Sequence, residues 1–317
     1  MYTFTTQTMT YIISQLTDLL SKIQAQELLE FEVLNPDLYS SYNGNTFTIK
    51  GEEYIFRGYK SWLDLAQLLQ CKMLTPVLLK EHTICMKFQK LNNDASFHKS
   101  IIGNEEKYGK DSIFSQIHKN EESSFIYYYL QALKNVKLDT RIRILNLGIN
   151  SGDEFEAIIS LSSDISNLEL VGIDYCASAI NTAKDTFKEY KNISFYTHDI
   201  NDLDSLNLGK FDLIISVGTM QSSNLEFNPL LMSIVQNQLK QDGAMILGFP
   251  NCRWIDGEMI YGAKVKNYAF SEMGLLYKDV IFSKKYLQQK KYRVTITGKD
   301  YIFLTATSIR SDTLLSQ

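Results

Sequence analysis

Arg141–Gly152 reads RIRILNLGINSG and runs straight into DEFEAIISL at Asp153–Leu161. The apolar run before Gly148 has the length of a buried strand, and the acidic-apolar stretch after Gly152 has helical spacing. A strand that passes through a glycine turn onto a helix presents free N–H groups and the positive end of the helix dipole at the turn, which suits a phosphate or carboxylate. A second apolar run, LELVGID, ends in Asp174, where a carboxylate can hold the two hydroxyls of a ribose. Strand, glycine turn, helix, strand and acid in that order point to a nucleoside-bearing cofactor.

The exact glycines narrow the choice. A dinucleotide fingerprint starting at Gly148 needs glycine at positions 150 and 153, where the chain has Asn150 and Asp153. A P-loop needs a Gly-Lys-Ser/Thr that does not follow. The stretch Asn146-Leu-Gly148-Ile-Asn150-Ser-Gly152 instead resembles motif I of the class I S-adenosylmethionine (SAM)-dependent methyltransferases, an acid-x-Gly-x-Gly-x-Gly pattern. Asn146 stands at the acid and Asn150 at the central glycine. Asparagine tolerates a left-handed backbone better than most residues, so Asn150 is compatible with the turn.

The order of the later segments extends the resemblance over about residues 121–309. NISFYTHDI (192–200) reads as a third strand ending near Asp199, and FDLIISVG (211–218) as a fourth. QDGAMILGF (241–249) reads as a fifth, entered through an Asp-Gly turn after a helix spanning about 229–240. YRVTITGKDYIFLTAT (292–307) alternates through a tight turn as a terminal hairpin. The expected fold is therefore α/β: a seven-stranded Rossmann-like sheet closed by an antiparallel hairpin, with a smaller α+β domain before it. The resemblance implies SAM as cofactor, held by Asn146, Gly148, Asn150, Gly152, Asp174, Tyr175, Asp199, Ile200 and Ser216. The plainer reading of each is a turn glycine, a loop acid or a helix cap.

With 317 residues and 44% apolar content, the chain is long enough for two domains, expected at 1–120 and 121–317. A net charge of −4 gives no global pull toward nucleic acid. Cys71, Cys85, Cys176 and Cys252 show no paired spacing, which fits reduced thiols and a cytoplasmic setting. His82, His98, His118 and His198 are scattered, which argues against zinc. The start, MYTFTTQTMTYIISQL, lacks the pattern of a signal peptide, and no stretch has the length and apolarity of a membrane span.

In the first module, Ile12, Leu16, Leu19, Leu20 and Ile23 form a helical stripe within 9–30. TFTIKGEEYIFR (46–57) reads as a hairpin turning near Gly51, and Ser61 with Asp64 resembles a helix cap. Pro76 interrupts, TICMKFQKL (83–91) alternates as a strand, and 92–111 is polar loop. Asn120, Glu121 and Glu122 mark a helix start before an aromatic run. Such an aromatic helix most often packs against the sheet as core, but in many methyltransferases a segment just before the first strand closes over the cofactor, which makes Tyr108 a lid candidate.

An activated methyl donor leaves the protein chiefly to align an acceptor and exclude water. Gln221, Asn251 and Arg253 lie on loops at the expected ligand edge of the sheet and are candidate acceptor contacts. Cys252 sits roughly where some RNA cytosine-C5 methyltransferases carry a nucleophile, but the Pro-Cys those enzymes bear after the fourth strand is missing, and a lone cysteine is more often packing. The acceptor is a small molecule, a protein or RNA. The stretch from Arg253 to Lys299 interleaves basic residues, Lys264, Lys266, Lys284, Lys285, Lys290 and Lys291 among them, with Trp254, Tyr261, Tyr268, Tyr277, Tyr286 and Tyr292. That pattern suits RNA, and equally a solvated helix face whose aromatic side is core. Two rivals to methyl transfer stay open: transfer of another group, such as an aminopropyl chain, from a related nucleoside, and a fold kept for binding or regulation without turnover.

Overall fold

A computed structural model describes residues 1–95, 108–162, 164–222, 224–263 and 271–309. Two compact units emerge: Met1–Lys99 with Trp254–Tyr261, and Ser100–Arg253 with Gly262–Gln317. The sequence reading places the first boundary at 120/121 and gives the first module no later segment.

The first unit begins with β1 (Tyr2–Phe4), α1 (Met9–Lys22), β2 (Leu28–Leu34), β3 (Thr46–Ile49), β4 (Glu52–Ile55), α2 (Tyr59–Leu68), β5 (Cys71–Lys80) and β6 (Thr83–Lys90). Its four-stranded sheet has the order β1-β2-β6-β5. The stripe on α1 is buried at Ile12, Leu16 and Leu20, against Phe31, Phe88 and Trp62. The helix stops at Lys22, because the polar stretch 24–27 turns the chain into β2. The β3–β4 hairpin turns through Lys50 and Gly51, both at positive φ (52° and 85°), the geometry a two-residue primed turn needs.

Two local expectations need correcting. Ser61 does not cap α2: the N-cap is Gly58, with no side-chain cap bond, and Asp64 instead pairs with Lys60 one turn earlier at 2.5 Å. Pro76 does not end β5. It sits where the β5–β6 register shifts between Leu74 and Val77, on an edge strand that can spare its missing N–H.

The second unit continues with α3 (Ser123–Asn135), β7 (Arg143–Leu147), α4 (Asp153–Leu161), β8 (Glu169–Asp174), α5 (Ala177–Thr186), β9 (Ile193–Thr197), β10 (Phe211–Val217), α6 (Phe227–Ser233) and β11 (Leu239–Pro250). After a short hairpin, β12 (Cys252–Ile255) and β13 (Glu258–Tyr261), come α7 (Gly274–Gln289), β14 (Tyr292–Gly298) and β15 (Tyr301–Ser308). The sheet order is β9-β8-β7-β10-β11-β15-β14. Every neighbouring pair from β9 to β11 is parallel, while β15 runs antiparallel to β11 and to β14, so the expected terminal hairpin closes the sheet.

Asp242-Gly243 is no turn. It lies inside β11, beside the register shift of the β10–β11 pair, and the helix before it ends at Gln238 in a single π turn. A Cβ on Gly243 would lie 2.9 Å from the Lys240 carbonyl and 3.2 Å from that of Asp212, so the backbone packing there requires glycine. The β12–β13 hairpin escaped the sequence reading, although Asp256-Gly257 between Trp254-Ile255 and Met259-Ile260 carries its signature; both turn residues have positive φ (53° and 79°). Ile255 and Ile260 pack with Leu91, which draws this excursion into the first unit.

Candidate cofactor site at the switch point of the sheet

From β7 the chain winds outward to β8 and β9 on one side, whereas β10 and β11 lie on the other. A crevice at the carboxyl ends of the strands is expected where the order reverses, and the glycine turn lies there. Gly148, Asn150 and Gly152 all have positive φ (77°, 49° and 109°), so Asn150 does adopt the left-handed conformation of the glycine it replaces.

Asp174, the last residue of β8, faces this turn. Its Oδ2 accepts from the Asn150 N–H at 2.9 Å and its Oδ1 from the Cys176 N–H at 2.9 Å. Burial raises its pKa above the ordinary aspartate value, against the lowering effect of the Cys176, Asn150 and Tyr175 N–H groups and of the Lys119 charge. Asp174 as a residue is only partly covered in surface terms, and three N–H donors leave one of the roughly four acceptor positions of its carboxylate open. It can therefore still accept from a ribose hydroxyl. Tyr175, next in sequence, is 51% exposed beside it.

The segment before α3 reaches the same place. The Tyr108 carbonyl accepts from Asn150 Nδ2 at 2.8 Å, and the Lys110 N–H donates to Ser178 Oγ at 3.1 Å. The Tyr108 ring packs edge-on to Phe114, and burial together with the Asp174 charge raises its hydroxyl pKa. Tyr108, Asn150, Asp174 and Ser178 are thus brought together. The end of β9 is tied in as well, since the His198 N–H donates to the Asp174 carbonyl at 2.9 Å; Asp199 follows, its carboxylate capping the Asn201 N–H at 2.9 Å, and Ile200 is buried.

Asn146 and Ser216 part company. Asn146 is in register with Gly172 and Ile215, whereas Ser216 is in register with Leu247 on the opposite face. Both side chains are buried, and Asn146 Oδ1, Asn146 Nδ2 and Ser216 Oγ have no hydrogen-bond partner. Only the Asn146 side chain lies on the face toward α3, because Phe303, aligned through β11 with the Ile215 side, packs on Phe125 and Tyr129. Thr219, unnoticed in the sequence, abuts Gly148, so a Cβ at 148 would collide with its side chain.

Sequence reasoning also missed a buried ion pair at this site. Lys119 Nζ lies 2.9 Å from Glu154 Oε1, with side chains 9% and 1% exposed. Burial opposes both charges. For Lys119 it is outweighed by Glu154, Asp153 and Asp174, which raise its pKa and keep it protonated; for Glu154 burial prevails over Lys119 and raises the carboxyl. Thirty-five residues separate the two, and no local pattern links them.

The acceptor candidates lie farther round the edge. Gln221 is exposed. Asn251 is buried, its Nδ2 donating to the Lys299 carbonyl at 3.2 Å, and Arg253 Nη1 donates to the Gly262 carbonyl at 2.8 Å. Cys252 is buried and its thiol is pushed up to about 12, mainly by burial, which removes the thiolate a nucleophile needs. On α7, Lys284 and Lys285 are exposed, while Tyr286 and the following strand's Tyr292 are core. Lys264, Lys266, Tyr268 and His98 lie outside the described residues. No group of three or more metal-ligating side chains occurs among the described residues, and no helix among them is long and apolar enough to cross a membrane.

Residues 138–297 match the family described as Methyltransferase domain. A carboxy-S-adenosyl-L-methionine synthase of Helicobacter pylori (strain G27) is 26% identical over 158 residues, covering 48% of this chain and 63% of that protein. The counterpart from strain HPAG1 is 25% identical over the same shares. The chain therefore spans less than two thirds of the length of these curated relatives. Among solved structures, the CurJ carbon methyltransferase aligns over 94% of this chain and 92% of its own, with a TM-score of 0.51 at 14% identity, a likeness of fold. On the family match over half its length, and on the strand order and glycine turn described above, the chain belongs to the methyltransferase-domain family and carries a class I SAM-dependent methyltransferase domain.

Proposed function

We propose that the chain transfers the methyl group of S-adenosyl-L-methionine to an acceptor presented at the carboxyl edge of the seven-stranded sheet. One observation carries this: beside the switch point, Asp174 at the end of β8 accepts from the Asn150 N–H of the turn after β7 while the residue stays partly exposed. The donor set fits the cofactor, since a buried asparagine without partners at the end of β7 and a hydroxyl-binding carboxylate at the end of β8 answer to its amino-acid and ribose parts. When bound, that cofactor supplies a methyl group already activated on a sulfonium.

The chain's own residues position and shield. Asp174 orients the ribose, and the positive-φ turn from Gly148 to Gly152 lets backbone approach closely. The segment carrying Tyr108 covers the turn and keeps water from it. Gln221, Asn251 and Arg253 border the edge at which an acceptor meets the methyl group. The name of the Helicobacter relatives refers to a carboxylated form of the same cofactor, which supports the adenosyl part of this reading. Four cysteines outside any disulfide suit a cytoplasmic setting.

Calorimetry tests the proposal. S-Adenosyl-L-methionine and S-adenosyl-L-homocysteine are expected to bind the full chain at micromolar concentration, and Asp174→Ala to abolish both. Absence of heat with either compound would remove the reading. Transfer of a labelled methyl group into fractionated cell extract then identifies the acceptor.

A further inference from the structure

The ion pair Lys119–Glu154 sits in a polar cluster that ribose recognition does not use. Glu154 engages Lys119 through Oε1, while its Oε2 is buried without a partner. Asn146 is fully buried with both amide atoms unengaged. The three share one side of the sheet: Asn146 faces α3 by register, and Tyr129 of α3 donates its hydroxyl to the Glu154 carbonyl at 3.4 Å.

Buried ions and orphaned amide groups weigh against folding unless something satisfies them. A carboxylate oxygen, an amide offering both a donor and an acceptor, and an ammonium with N–H groups to spare are together complementary to the zwitterionic end of an α-amino acid. We propose that Glu154 and Asn146 accept hydrogen bonds from the amino group of the cofactor and that Lys119 donates to its carboxylate. Glu154 thereby supplies, from the first turn of α4, the negative charge that the family's pattern places at position 146. This assignment rests on the cofactor reading above.

The same pair also fastens the turn at Lys119–Glu121 to α4, where Asn120 Nδ2 donates to the Asp153 carbonyl at 2.8 Å. A merely structural clasp and an amino-acid subsite differ in what they discriminate. The test compares S-adenosyl-L-homocysteine with 5′-methylthioadenosine, which lacks the amino-acid end, by calorimetry on the full chain. The wild type is expected to prefer the former by at least about tenfold, the strength of one charge-assisted contact. Glu154→Gln should lose most of that preference while methylthioadenosine binding stays unchanged, and adding Asn146→Asp should restore it.

Should Glu154→Gln fail to fold, the double variant Lys119→Met/Glu154→Gln, which removes both charges together, carries the measurement, with the preference expected near one. An unchanged preference in these variants, an equal loss of both ligands, or a wild type that binds the two compounds equally would overturn the proposal and leave the cofactor reading standing. A wild type that binds neither overturns both.

Discussion

Gly152→Ala offers a quantitative check on the turn that builds the site. Gly152 has a φ of +109°, beyond the left-handed region that alanine tolerates, and such strain costs about 1–3 kcal/mol. The new methyl group would also run into the Phe187 ring, reaching Cζ at 3.0 Å and Cε2 closer still. Phe187 is only 4% exposed and wedged among Phe155, Tyr190 and Phe195, so it has little room to yield. Overpacking of that kind adds about 1–3 kcal/mol. The two together come to about 4 kcal/mol, which lowers the melting temperature of a unit this size by about 8–16 °C. Thermal and denaturant unfolding measure it. A companion change, Phe187→Leu, should relieve the collision but not the backbone strain, giving a coupling energy of about 1 kcal/mol or more in a double-mutant cycle. A Gly152→Ala protein that melts with the wild type, or a cycle with no coupling, would refute the account.

Three further expectations follow from the same geometry. Asp174→Ala leaves three backbone N–H groups without their acceptor and should weaken adenosylhomocysteine and methylthioadenosine alike, whereas Glu154→Gln touches only the former; paired isotherms distinguish the patterns. Burial raises the Asp174 pKa in the folded state, so its contribution to stability is full below the unfolded value and is lost as pH rises through the folded one. Asp174→Asn should therefore gain on the wild type as pH climbs from the ordinary aspartate range through that raised pKa, and denaturant titrations showing the opposite trend would contradict it. Cys252, buried with a thiol near 12, should resist alkylation by iodoacetamide at pH 8 in the folded chain, and Cys252→Ser should retain methyl transfer; rapid labelling or lost turnover would reinstate it as a nucleophile.

Periodic and punctuated features were legible in the amino-acid sequence. The run ending at Asn146, the glycines around Asn150 and the alternation of 292–307 each carry a local signature, and together they set the sheet and its switch point. Asp242-Gly243 misled because the dipeptide that makes a turn between strands can also sit in a bulge inside one, and only the partner strand decides which. Asp256-Gly257 shows the converse: its signature was present, but the motif reads as an insertion only once Ile255 and Ile260 are seen to meet Leu91. Lys119 and Glu154 were invisible for a different reason. Charges spaced by helical turns announce their pairing, while a pair closed over 35 residues is a product of tertiary packing alone.

The hairpin between β11 and α7 makes the two units topologically interleaved, since the chain crosses from one to the other at 99/100, again at 253/254 and back at 261/262. Cutting the polypeptide after residue 99 would therefore not liberate an intact second unit. It would leave Ile255 and Ile260 bereft of Leu91, an invitation to aggregation. A soluble second unit calls for excising Trp254–Tyr261 as well and bridging Arg253 to Gly262, whose carbonyl already accepts from the Arg253 guanidinium and whose N–H donates to the Asn251 carbonyl at 2.7 Å.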